Sequence, residues 1–137
     1  MNDTTGFNPM RWNCQKDGCF NIKRRPKIEV FAGCFPRRCN FGDVDGLVEL
    51  NGFFCLLEWK GAGGSLRRGQ ILTFTAFTNV VGNIVLVVNG DAETMAVTGY
   101  STFWGGRQWP LTVATLDDLK DRLSRWSAWS EAAKGTA

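Results

Sequence analysis

Histidine is absent from this chain of 137 residues. Without imidazole, neither Ser-His-Asp nor Cys-His nucleophile systems can be built, nor any histidine metal site. A general base, nucleophile or metal ligand must come from Asp, Glu, Lys, Cys, backbone groups or the single tyrosine. Long apolar runs are missing too. The longest are about six residues, far short of the ~20 that span a bilayer, so no membrane association is expected. The opening MNDTTGFNPM lacks the apolar stretch of a secretory signal. Five cysteines without such a signal point to a reducing cytoplasm, with thiols or thiolate-bound metal rather than disulfides.

What is present suggests one domain over residues 1–137, with 44% hydrophobic residues to build a core. Residues 1–42 form an irregular, cysteine-containing basic segment within it. They carry eight basic and three acidic groups, a local +5. Asp43, Asp45, Glu49 and Glu58 against Lys60 then give residues 43–60 a local −3, and Arg67 and Arg68 give residues 61–90 a local +2. Acids lying between basic arms suit a cation flanked by a polyanion. On charge alone, a mixed solvated surface is the favoured explanation of the pattern.

DGLVEL (45–50) and FFCLLEWK (53–60) read as strands joined by Asn51-Gly52, the dipeptide of a type I′ hairpin turn. Facing residues then have numbers summing to 103: Leu50 faces Phe53, Val48 faces Cys55, and Asp45 faces Glu58. Asp43 falls opposite Lys60. Strand alternation puts Asp45, Glu58 and Lys60 on one face and Trp59 on the other. Residues 65–79 fit either a helix or a strand; NIVLVV (83–88) and MAVTGYSTFW (95–104) read as strands. A helix is expected from Leu116 to Ala133, with Leu116, Leu119, Leu123 and Trp126 on one face and a capping box from Thr115 to Asp118.

Two carboxylates facing each other across a hairpin lie ~5 Å apart at Cβ and repel. A shared proton with a raised pKa, a salt bridge to Lys60, or a divalent cation would compensate. Hard oxygen ligands beside a lysine suit Mg²⁺ or Mn²⁺.

The segment FGDVDGLVELNGFFCLLEWK resembles the core motif of the PD-(D/E)XK nuclease superfamily, especially its small, phage-type single-domain members. Asp45 matches the Asp of that motif, and Glu58, Trp59 and Lys60 match its Glu-x-Lys. Val44 stands where the proline of the family name would be. The resemblance implies an α/β, restriction-endonuclease-like core: a mixed β-sheet flanked by helices in the order α-β-β-β-α-β, here with a C-terminal helix. It makes residues 65–79 the helix after Glu-x-Lys, with Gln70 as an auxiliary residue, and NIVLVV the returning strand. The implied metal ligands are Asp45, Glu58 and the Trp59 carbonyl. Asp43 is an alternative extra ligand, as is Glu29, on a short first helix between Pro26 and Gly33 or on a strand KIEVF. The implied activity is Mg²⁺- or Mn²⁺-dependent hydrolysis of DNA phosphodiester bonds. Duplex or branched DNA would be selected by shape or structure, with a homodimer as one arrangement, in the cytoplasm (that of a bacterial host if phage-encoded). Lys23, Arg24, Arg25, Lys27, Arg67 and Arg68 would hold backbone phosphates, or simply solvate the surface.

Cys14-x4-Cys19 and Cys34-x4-Cys39 could make a four-cysteine structural Zn²⁺ site, at the wide edge of the usual spacing; the alternative is structural thiols. Cys55 alternates inward and is assigned to packing. Trp104 and Trp109, around Gly105, Gly106, Arg107 and Gln108, either stack on bases or close a core edge. The rival to a nuclease is a non-catalytic nucleic-acid- or protein-binding phage factor, with a nuclease fold of redirected or lost chemistry as a third reading.

Overall fold

The computed structural model describes residues 28–37, 39, 41–42 and 44–133. The chain divides into two units, residues 1–42 and 43–137, each described by itself.

In the first unit Ile28–Cys34 forms a 3-10 helix, so the described part of this segment is a short helix, not a strand and not an α-helix. Two β-branched residues, a phenylalanine and Gly33 are weak α-formers, and Pro36 lies just beyond the helix end. The Cys39 N–H closes the following turn on the Pro36 carbonyl at 3.1 Å. Phe41 meets Phe31 and Phe35 edge-on, with centroids 5.9 and 5.3 Å apart.

The second unit is α/β, with a mixed six-stranded sheet and two helices. Strands β1 (Gly46–Leu50) and β2 (Phe53–Lys60) form the expected hairpin, with Leu50 opposite Phe53 and Val48 opposite Cys55. Asn51 and Gly52 have φ of 56° and 88°, the left-handed pair that a type I′ turn requires. Helix α1 (Arg68–Thr78) crosses over to β3 (Ile84–Asp91), which runs parallel to β2. β4 (Ala96–Trp104) pairs antiparallel with β3, and the short strands β5 (Arg107–Gln108) and β6 (Thr112–Val113) both pair with β4. Helix α2 (Leu116–Ala133) ends the described chain. Among the described residues, α1 is preceded by two strands instead of the three expected, and four strands follow it instead of one returning strand. No described helix is long and apolar enough to cross a membrane.

The sheet buries both faces. Cys55, Ile84, Leu86, Val88 and Tyr100 form one core with Leu119 and Trp126 of α2. Leu56, Val85, Val87 and Phe103 form the other with Phe74 of α1. β3 contributes to both, which is why its sequence is a continuous apolar run and does not alternate. The Thr115–Asp118 box closes reciprocally at 2.9 and 3.2 Å. The end of α2 clasps the hairpin: Ser130 Oγ donates to the Leu50 carbonyl at 2.7 Å, and Trp129 packs edge-on against both Phe53 and Trp104.

Gly82 sits between α1 and β3 at a φ of +89°, and a Cβ there would lie 2.0 Å from the Phe53 ring. Its carbonyl accepts the buried Trp126 Nε1–H at 3.0 Å. Gly82→Ala is therefore expected to cost at least about 2 kcal/mol in urea unfolding followed by tryptophan fluorescence. Gly69→Ala, where a Cβ meets nothing within 4 Å, is expected to stabilise α1 by about 0.5–1 kcal/mol.

Candidate active site

Alternation along β2 sends Cys55, Leu57 and Trp59 toward the α2 side and Leu56, Glu58 and Lys60 toward α1. Glu58 and Lys60 thus lie at the carboxyl end of β2, beside its parallel neighbour β3 and below the first turn of α1. Ligand sites in open α/β sheets form at such strand ends.

Gln70 joins the two elements. Its Nε2 donates to Glu58 Oε2 at 3.0 Å, while its Oε1 accepts from Lys60 Nζ at 3.0 Å and from the Arg67 N–H at 3.1 Å. The Arg67 N–H is one of the free donors at the start of α1, so one amide caps the helix and holds both charged side chains. Lys60 Nζ is also 3.5 Å from Glu58 Oε2. Gln70, placed here by family resemblance, is the link between the helix and the acidic strand.

The register carries Asp45 to the level of Glu58, but the ladder ends at Gly46. The next rung would join Val44 to Trp59. Instead the Trp59 N–H donates to Asp45 Oδ2 at 2.5 Å, and the Asp45 N–H donates to the Leu57 carbonyl at 3.2 Å. The carboxylate has replaced a backbone carbonyl as the acceptor at the end of the strand. This turns Asp45 from a simple cross-strand partner into the group that terminates β1.

Glu58 is only 8% exposed. Burial raises its pKa above the usual carboxylate range and the Asp45 charge adds to the rise, opposed by Lys60 and by the hydrogen bond from Gln70. Of the three compensations expected for facing acids, the lysine partner is present, and the pKa rise comes chiefly from burial. Asp45 Oδ1 and Glu58 Oε1 have no hydrogen-bond partner among the described residues. No group of three or more His, Cys, Asp or Glu side chains that could hold a metal occurs among the described residues. Asp43, Cys14, Cys19, Lys23, Arg24, Arg25 and Lys27 lie outside those residues, and so does the side chain of Glu29. Cys34 and Cys39 are exposed free thiols, whereas Cys55 is buried as expected.

The glycine-rich loop after Lys60 is pinned by a residue not singled out from the sequence. Asn89 Nδ2 donates to the Gly61 and Gly64 carbonyls at 3.2 and 3.0 Å. Its sequence signal, an Asn at the end of an apolar strand, reads equally as a strand terminator. Arg67 and Arg68 are exposed at the start of α1. Trp104 closes the core edge against Trp129, whereas Trp109 is exposed and stacked by Arg107. Comparison with family models, curated proteins and solved structures finds no match to this chain.

An acid whose folded pKa is raised holds its proton more firmly in the folded than in the unfolded state. Stability therefore falls as pH rises from the unfolded value near 4.5 through the folded one. In EDTA, Glu58→Gln should melt higher than wild type at neutral pH, with the gap closing as pH drops below that window. Burial pushes the Cys55 thiol up to about 11, so iodoacetamide at neutral pH should alkylate Cys34 and Cys39 in native protein and reach Cys55 only after denaturation, as read by peptide mapping.

Proposed function

We propose that the chain is a metal-dependent DNA endonuclease that hydrolyses phosphodiester bonds and selects its substrate by structure or shape. The observation that carries this reading is the joined set at the end of β2: Asp45 on the Trp59 N–H, and Glu58, Gln70 and Lys60 on one another. It also accords with the resemblance of residues 41–60 to the PD-(D/E)XK motif and with a mixed sheet flanked by helices.

The donor set fits a small hard cation. Mg²⁺ is commonly held by one or two carboxylates and keeps several waters, and each acid here retains an oxygen free of hydrogen bonds among the described residues. Asp45, Glu58 and the Trp59 carbonyl would hold the ion, which when bound lowers the pKa of coordinated water and offsets charge on the phosphoryl oxygens. A cation would also relieve the repulsion that raises the Glu58 pKa. Lys60, steered by Gln70 Oε1, is placed to orient the water or to donate to a scissile-phosphate oxygen. Arg67 and Arg68 would contact flanking phosphates, giving affinity and orientation without reading bases.

Four-way-junction DNA should be cleaved with Mg²⁺ and not with EDTA, and in preference to supercoiled and linear duplex. Glu58→Ala, Asp45→Asn and Lys60→Ala should each lower cleavage on the order of 100-fold or more, and Gln70→Ala by roughly 10–100-fold because it acts through its neighbours. Unchanged cleavage in Glu58→Ala or Lys60→Ala would overturn this site, and no cleavage of any DNA by wild type would favour a non-catalytic binding module.

A further inference from the structure

The sheet face that carries Glu58 continues beyond the acidic pair. Glu58 pairs across β2 and β3 with Val87, and Val87 pairs across β3 and β4 with Ser101, so the three form one row. At ~4.8 Å per strand, Ser101 lies roughly 10 Å from Glu58. A cleft of about 400 Å³ opens over this end of the row, lined by Ser65, Val87, Asn89, Ser101, Gln108 and Trp109, among others. That volume falls within the range of small-ligand sites, about 300–1,000 Å³.

Two features of the lining point to a ligand. Ser101 is only 7% exposed, yet its hydroxyl makes no hydrogen bond among the described residues. Burying a hydroxyl without a partner is unfavourable, and a ligand atom in the cleft would supply one. Trp109, in contrast, is 43% exposed and presents its ring to the cleft. Its backbone is anchored and its ring stacked: the Trp109 backbone N–H donates to the Thr102 carbonyl at 2.7 Å, and the Arg107 guanidinium lies 4.0 Å from its ring centroid. Arg107 does not line the cleft, so it stiffens the indole from outside. A fixed aromatic wall beside an unpaired hydroxyl and the Gln108 amide matches a flat heterocycle with polar edges.

We propose that this cleft receives an unpaired nucleobase of the DNA, one or two nucleotides from the scissile phosphate, stacked on Trp109 and hydrogen-bonded by Ser101. The proposal rests on the nuclease reading and specifies its substrate class. A base stacked and paired within a duplex cannot enter such a pocket, and one already free enters without the cost of unpairing. Bulges, branch points and single-stranded ends are therefore preferred over continuous duplex.

Binding is measured in EDTA with a labelled duplex carrying one unpaired 2-aminopurine, against the fully paired duplex and one with an abasic bulge. Wild type should prefer the 2-aminopurine bulge by roughly tenfold and change its emission on binding. Trp109→Ala should abolish that preference, and Trp109→Phe should keep most of it. Ser101→Ala should weaken the preference without lowering the melting temperature, an outcome that a purely structural serine would not give. Equal binding of all three duplexes, or an undiminished preference in Trp109→Ala, would overturn the pocket. Cleavage with Mg²⁺ is read in parallel on the same duplexes. Cutting without base preference rejects the pocket alone, and base preference without cutting rejects the nuclease reading while retaining the pocket.

Discussion

Parallel pairing of β2 with β3 is the constraint on which the rest of this unit depends. Strands that run the same way cannot be joined by a tight turn, so the chain must travel back along one face, and α1 is that return path. The crossover buries β3 on both sides and sets Phe74 against Val85, Val87 and Phe103. It also brings the first turn of α1 to the end of β2, where its free N–H groups and Gln70 meet Glu58 and Lys60. The antiparallel β1 delivers Asp45 to the same end from the opposite direction.

The electrostatics of that end follow from its depth. A buried carboxylate beside a second acid is unfavourable unless other groups share the load, and here the load is divided. Asp45 is tied to a backbone N–H, while Glu58 shares an amide and an ammonium through Gln70. The result is a compact acidic pair, each acid with an oxygen free of hydrogen bonds among the described residues, held in place by a helix cap. Asn89 restrains the glycine loop beside it, and the same sheet face leads directly to the cleft under Trp109.

Much of this was legible in the order of residues. Asn51-Gly52 specifies a turn whose geometry propagates along both strands, which is why the pairing of Val48 with Cys55 matches the arithmetic. The Thr115 to Asp118 box and the apolar spacing of Leu119 and Trp126 likewise mark α2. Other features were not legible. β5 and β6 have two residues each, too few for any period, and exist because β4 offers an edge to pair with. Asp45 leaves the ladder because a carboxylate competes with a backbone carbonyl for the Trp59 N–H, a contest invisible to alternation. Trp104 and Trp109 look alike in sequence, yet one packs against Trp129 and the other faces a cleft.

The sequence by itself determined the local chemistry: a hairpin with two acids and a lysine at its open end, an apolar returning strand and a capped terminal helix. These depend on turn preference, alternation and capping, which act over a few residues. Only the tertiary structure decided that Gln70 bridges Glu58 and Lys60, that burial raises the Glu58 pKa, and that Ser101 shares a sheet row with it. Those relations depend on which elements become neighbours and how deeply they pack, and that is set by the crossover and the two cores acting together.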